Sequence, residues 1–268
     1  MIETIEFEGV TQIRMSRELD GSPVYWVAAY LVDGLLVDTG CSHTARELTR
    51  FLEGRELRQV VNTHYHEDHV GGNHDIMARF PVDVYAHPDS IPLMLRESTL
   101  HPYQEIAWGY PRPTRAKPLP PSLKTGRFTF EIVDTPGHCA GHVCPVELSQ
   151  GWCFAGDLFA RENPKFIRPE ENLGGIIRSM RRVMDACGSR LVLFTAVGKI
   201  VEDGRKALTE CTSHLTGLAE KARGMERSGA SLEDIVQAMF GGEHPFAELT
   251  NGQFSTGNLV RSLLETVT

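Results

Sequence analysis

The apolar positions of this chain fall into short blocks separated by glycine, proline and aspartate. Val24-Tyr25-Trp26-Val27-Ala28-Ala29-Tyr30-Leu31-Val32 is a continuous apolar run, which predicts a strand covered on both faces. Residues 10–16 predict a strand before it. Asp33-Gly34 is a turn signal, so a hairpin leads into Leu35-Leu36-Val37. Residues 42–53 predict a helix, with Ser42 or Thr44 as its cap and Gly54 as its stop. Val60-Val61 belong to another buried strand. A short helix over 73–80 and a strand over 82–86 follow. Polar and apolar residues alternate over 127–133, which predicts a strand. Residues 143–148 and 151–155 predict a hairpin, 171–187 a helix and 190–195 a strand. Beyond Arg205 the chain is helical: 205–227, then a segment started by Ser231-Leu232-Glu233-Asp234 and stopped by Gly241-Gly242, then 257–267.

Residues 88–121 break this pattern. Pro88, Pro92, Pro102, Pro111, Pro113, Pro118, Pro120 and Pro121 fall there, interleaved with Tyr103, Trp108 and Tyr110. Proline at this density excludes one long helix or strand across the segment. A long loop of this kind either shapes a functional pocket, as a lid or wall, or simply covers surface.

Composition narrows the class. A chain of 268 residues suits one large domain, or a domain with a helical appendix. The formal net charge of -8 argues against a nucleic-acid backbone as partner. No stretch approaches the roughly 20 apolar residues that span a bilayer. The first residues are acidic and lack the apolar core of a signal peptide. Cys41, Cys139, Cys144, Cys153, Cys187 and Cys211 then read as free thiols, which fits a cytoplasmic location.

The chemistry concentrates in His64-Tyr65-His66-Glu67-Asp68-His69, followed by Gly71-Gly72. It sits where a buried strand ends and a loop or helix begins. If the strand's alternation runs on, His64 and His66 point the same way. Asp68 and His69 lie where the chain turns and can aim at a neighbouring point. Two imidazoles for one cation, and a carboxylate with an imidazole for a second, suit borderline-soft ions. His-x-His-x-Asp-His resembles the signature of the metallo-β-lactamase superfamily.

Other segments carry the same resemblance. Asp38 precedes Thr39-Gly40 at a strand end, where the superfamily has an Asp that supports the metal site from behind. Thr135-Pro136-Gly137-His138 is similar to its third motif, with His138 joining His64 and His66. Phe154-Ala155-Gly156-Asp157 is similar to its fourth, whose Asp bridges two ions. At the fifth motif the chain departs: Val197 stands where the family has its last histidine ligand. Valine cannot bind a metal, so the resemblance implies that His64, His66 and His138 would hold one ion, and Asp68, His69 and Asp157 alone the second. Either His101, His214 or His244 replaces the missing ligand, or nothing does. His74, His87 and His142 are expected to be structural, with His142 backing the site or packing beside it. Cys139 reads as a small buried residue.

The resemblance covers roughly residues 10–200. It implies an α/β fold, a four-layer αβ/βα sandwich with a helical C-terminal extension. Residues 1–204 would be the catalytic domain and 205–268 the extension packed on it, which also offers a homodimer face. The implied activity is metal-dependent hydrolysis, with one or two Zn2+, or Fe or Mn, acidifying a water that attacks a carbonyl or phosphorus centre. Asp68 would orient that water or take its proton. The substrate would be a small ester, thioester, lactone, lactam or phosphoester. Two other readings remain open: an iron-dependent oxidoreductase on the same scaffold, and a relative impaired at Val197.

Overall fold

The computed structural model describes residues 1–266. The chain begins with β1 (Ile2–Phe7) and β2 (Val10–Met15), then makes a small hairpin of β3 (Glu18–Leu19) and β4 (Ser22–Pro23). It continues through β5 (Val27–Val32), β6 (Leu35–Val37), β7 (Gln59–Val61), β8 (Asp83–Ala86) and β9 (Lys117–Pro118). Apart from the small hairpin, these strands form one sheet in the order β1-β2-β5-β6-β7-β8-β9. The second sheet is β10 (Ser122–Lys124), β11 (Thr129–Asp134), β12 (Val143–Glu147), β13 (Trp152–Gly156), β14 (Val192–Thr195) and β15 (Ile200–Val201), in chain order.

The alternation within β5 shows why its sequence is apolar throughout. Ala28, Tyr30 and Val32 face the second sheet and meet Phe130, Trp152, Phe154 and Phe194. Val27, Ala29 and Leu31 face the other way, onto α1 (Ala45–Leu52) and α3 (Asn73–Arg79). Strand β13 repeats the logic. Trp152 and Phe154 join the inter-sheet core, while Cys153 and Ala155 pack under α6 (Leu173–Ala186) and α7 (Gly204–Arg227). The result is helices, sheet, sheet, helices: the four-layer αβ/βα sandwich expected. Helices α8 (Leu232–Phe240) and α10 (Thr256–Leu264) share the hydrophobic core of α6 and α7, so the C-terminal helices are packed and not pendant.

Local signals act as read. Asp33 and Gly34 both take positive φ, +47° and +83°, in the two-residue turn that joins β5 to β6. Ser231 and Asp234 form a reciprocal capping box at α8, and Gly241 ends it in the left-handed region.

Three points of this reading need correction. The strand predicted from Val24 starts at Val27, because Val24 N and Tyr25 N bond back to the 16–17 segment. Strand β1 has no counterpart in the sequence pattern; it is a solvated edge whose charged residues mask its alternation. The proline-rich segment, as expected, holds no long helix or strand; it is ordered in short pieces, α4 (Ile91–Met94), α5 (Pro102–Ala107) and β9. Its Ala107, Trp108 and Ala116 are buried against the first sheet's helices. The last helix ends at Leu264, after the four-residue α9 (Phe246–Leu249); Val267, its expected end, lies outside the described residues.

Candidate metal centre

Strand β7 ends at Val61, so His64 and His66 are not strand residues. They lie on the loop 62–66 that leads into α2 (Glu67–Val70), with His66 at its N-cap. Convergence comes from the loop's anchoring and not from strand alternation. Asn62 N bonds Tyr85 O at 2.9 Å, and Val143 N bonds Thr63 O at 2.8 Å, tying the loop to both sheets. Asp68 and His69 fall in the first turns of α2, where a helix N-terminus favours carboxylates.

Three imidazoles meet at one point, two of them from this loop. His66 Nδ1 lies 3.0 Å from His64 Nε2 and 2.9 Å from His138 Nε2. His138 arrives from the turn after β11. There Gly137 takes φ +144°, and any Cβ would sit 2.4 Å from Ile176 N, so only glycine lets this turn pack onto α6. Glu171 stands 3.5 Å behind His138 Nδ1, which leaves Nε2 toward the cluster.

A second set lies beside the first. His69 Nε2 is 3.8 Å from Asp68 Oδ2 and 3.6 Å from Asp157 Oδ1. The other oxygen of Asp157 lies 3.3 Å from His138 Nε2, so this one carboxylate faces both sets. It follows Gly156, whose φ of +48° and close approach to His142 Nε2 and Thr63 Oγ1 leave no room for a side chain. Among the described residues, two groups offer three donors within 4.8 Å of one another: His64 with His66 and His138, and His64 with His69 and Asp157.

Asp38 sits behind the cluster, as the resemblance implied. Its Oδ2 is 2.8 Å from His69 Nδ1 and accepts from Thr63 Oγ1 at 2.8 Å; its Oδ1 accepts from Thr63 N at 2.8 Å. The bond to His69 fixes that residue's tautomer and turns Nε2 inward. His142 also stands behind: it takes a hydrogen bond from Asp157 N at 3.1 Å and contacts Thr135 Oγ1 at 2.8 Å.

The electrostatics are those of a crowded cation site. Burial, then repulsion from neighbouring imidazoles, holds His64 well below its ordinary range; burial and Arg168 do the same for His66. His142 is pushed down to about 3 by burial. Burial opposes charge on His69 and His138, but Asp38 and Asp68 around His69, and Asp157 and Glu171 around His138, raise both. Burial lifts Asp68 to about 6. Burial would also lift Asp157, but His138 and His69 hold it far below the carboxylate range.

Two buried atoms support the fit of a cation: Asp68 Oδ1 and His69 Nε2 have no hydrogen-bond partner. A native interior rarely leaves such atoms unpaired. With imidazoles and carboxylates converging, the donor set could hold a metal ion.

The proposed replacements for the fifth-motif ligand lie elsewhere. His101 stacks on Tyr103, His244 packs on Phe166 at 4.4 Å, and His214 is on the exposed side of α7. Val197 lines the same cavity as Asp68, His138 and Asp157 and offers no donor. His87 lies 3.8 Å from Asp134 Oδ1, outside the cluster. His74 is a half-buried residue of α3. All six cysteines are free and buried, and burial pushes Cys139 up to about 12. Glu171 and Thr63 shape the site without any sequence signal that singles them out, while Trp108 comes from the proline-rich segment read as a candidate wall.

Comparison with known proteins places this geometry. A family model described as the metallo-beta-lactamase superfamily matches residues 26–198. A thioesterase, pkgB, from Emericella nidulans is 32% identical over 148 residues, covering 53% of this chain and 37% of that protein. A hydroxyacylglutathione hydrolase from Legionella pneumophila is 30% identical over 138 residues, covering 49% and 46%. The lactamase-like protein adaB from Aspergillus niger is 27% identical over 266 residues, covering 93% and 75%. The chain thus spans less than half the length of the first two. In fold, it matches a beta-lactamase domain protein from Burkholderia ambifaria with a TM-score of 0.72 at 19% identity, over 98% of this chain and 88% of that one. A metallo-beta-lactamase family protein from Thermus thermophilus gives 0.68 at 18% identity, over 97% and 93%. With the family model spanning most of the chain and two donor sets meeting where its motifs fall, this chain belongs to the metallo-beta-lactamase superfamily.

Proposed function

We propose that the protein is a metal-dependent hydrolase of thioesters, with zinc as its ion. The observation that carries this reading is the pair of unpartnered buried atoms, Asp68 Oδ1 and His69 Nε2, beside the three converging imidazoles. The thioester choice draws on the relatives: one is named a thioesterase, and a hydroxyacylglutathione is itself a thioester. On this reading residues 1–204 are the catalytic unit, with the 88–121 segment as one wall of its cavity, and 205–268 are a helical extension packed on it.

His64, His66 and His138 would hold the first ion; Asp68, His69 and Asp157 would hold the second. Bound there, zinc supplies Lewis acidity toward a carbonyl oxygen and acidifies water. The residues do the rest. Asp68 Oδ1 accepts the proton of the attacking water. Asp38 and Glu171 keep His69 Nε2 and His138 Nε2 turned inward as lone-pair donors. Trp108, Leu158 and Phe159 line the cavity beside Asp68 and exclude bulk water. Val197 leaves the second set one ligand short, so the second ion binds more weakly than the first.

The test is elemental analysis of the purified protein together with thiol release from acetyl-N-acetylcysteamine. At least one zinc per chain, and hydrolysis lost on chelation and restored by zinc, is the expected result. Hydrolysis that survives complete metal removal would overturn the reading.

A further inference from the structure

Outside the imidazole cluster, Arg168 is the most anomalous buried charge. Its residue is 5% exposed, yet its guanidinium Nε has no partner and its closest acid, Glu67 Oε1, is 3.8 Å from Nη2, beyond hydrogen-bond reach. That same oxygen of Glu67 is already taken by Gln104 Nε2 at 2.7 Å. A guanidinium carries five donors, and a buried N–H left without a partner costs free energy.

Nothing about the backbone explains the arrangement as slack. Ile167 forms a two-way backbone bridge with Ser255, and Arg168 N bonds Glu171 Oε1 at 3.1 Å. The side chain is held between aromatic faces, 5.2 Å from the Phe254 ring centre and 5.9 Å from that of Trp108. Tyr103 packs against both rings, at 5.7 and 6.1 Å. Two more dry donors in this wall, Tyr103 Oη and Trp108 Nε1, also lack a partner.

Position gives the anomaly a use. Arg168 lines two cavities at once. One, of about 130 Å³, is mostly apolar and reaches Asp68, His138 and Asp157. The other, of about 490 Å³, opens past Tyr65, His66 and Arg112. A planar fork of N–H donors between aromatic faces is the geometry that recognises a carboxylate through two parallel hydrogen bonds.

We propose that Arg168 is a specificity-determining residue that binds a carboxylate carried by the thioester substrate, an inference that rests on the hydrolase reading above. The carboxylate belongs either to the acyl group or to the thiol carrier. Either source places a negative oxygen pair at the junction of the two cavities while the thioester lies at the imidazole cluster.

Three substrates separate the cases: acetyl-N-acetylcysteamine, which is neutral; succinyl-N-acetylcysteamine, acidic on the acyl side; and S-acetylglutathione, acidic on the thiol side. The protein is expected to favour one acidic substrate over the neutral one, with Arg168→Gln cutting that preference about 10- to 100-fold, chiefly through KM. Arg168→Lys keeps the charge beside Glu67 but loses the fork, so it should restore only part of the preference. A merely structural ion pair would leave the preference intact in Arg168→Lys. Equal handling of all three substrates by the parent, or an equal fall on all three in both variants, overturns the proposal. Calorimetric binding of succinate and glutathione to metal-stripped protein gives a second readout. Binding of one of them that is lost in Arg168→Gln supports the proposal, even if no thioester is hydrolysed and the hydrolase reading fails. Binding unchanged in the variant, or absent from the parent, contradicts it.

Discussion

The two donor sets lie side by side and differ in composition, spacing and support. The first, His64, His66 and His138, is all imidazole, with contacts of 3.0 and 2.9 Å that bring its nitrogens to one point. The second, His69 with Asp68 and Asp157, is looser, at 3.8 and 3.6 Å, and its carboxylates share a cavity with Val197. The first is held by loops tied to both sheets. The second depends on Asp38 behind His69 and on a carboxylate, Asp157, that it shares with His138. The contrast teaches that two neighbouring donor sets in one cavity can differ in completeness: three imidazoles converge in one, while Val197 beside the other offers no donor.

The comparison breaks most sharply if the first set is removed. His66→Ala takes out the nitrogen on which His64 and His138 both converge. Zinc content should fall to near zero and thioester hydrolysis by on the order of 10³-fold or more. Retention of one tight zinc in this variant would mean that the second set, not the first, is the principal site.

Asp68→Asn comes next. Loss of the proton acceptor is expected to lower kcat about 10²- to 10⁴-fold. The same change should stabilise the metal-stripped protein. Burial raises the Asp68 carboxyl from its ordinary range to about 6, so its ionised form costs stability above that pH. The penalty is absent below about pH 4 and grows as pH rises toward 6. Chelator-treated Asp68→Asn should therefore unfold later than the parent at pH 7.5, by roughly 1–3 kcal/mol, and no later at pH 4. Denaturation at the two pH values checks the sign.

Asp38→Asn has a smaller expected effect. It removes the acceptor that fixes His69, so affinity for the second ion should weaken about 10- to 100-fold while the first ion is little affected. Competition with a zinc chelator measures both affinities. Val197→His sharpens the contrast in the opposite direction. Stoichiometry should rise toward two zinc per chain, with a gain in rate of about 10-fold or less. If the parent already binds two ions tightly, the second set is complete without a fifth-motif histidine.

Much of the first set is legible in the chain. His-x-His and Thr-Pro-Gly-His name their residues directly, and Asp38 is readable at the end of its strand. Strand alternation is not the reason for their convergence, because β7 stops at Val61 and a cross-tied loop does the aiming. The apolar run of β5 predicts a strand buried on both faces, and its alternation between two cores bears that out. The run starts three residues before the strand, since Val24, Tyr25 and Trp26 are apolar for other reasons; Tyr25 turns to the cavity wall. Arg168, Trp108, Tyr103 and Phe254 are invisible as a group. They come from three distant segments, and neither spacing nor composition links an arginine after β13 to aromatics in a proline-rich stretch and before the last helix. What identifies them is unsatisfied hydrogen bonding, a property that exists only in the fold.

Whether an ion in the first set suffices for the reaction is decided most directly by a zinc titration of metal-stripped protein, reading bound metal and acetyl-N-acetylcysteamine hydrolysis in the same samples. Activity should rise in step with the first equivalent of zinc and change little with the second. Full occupancy of the first set with no thioester hydrolysis, or hydrolysis already present before zinc is added, would contradict it.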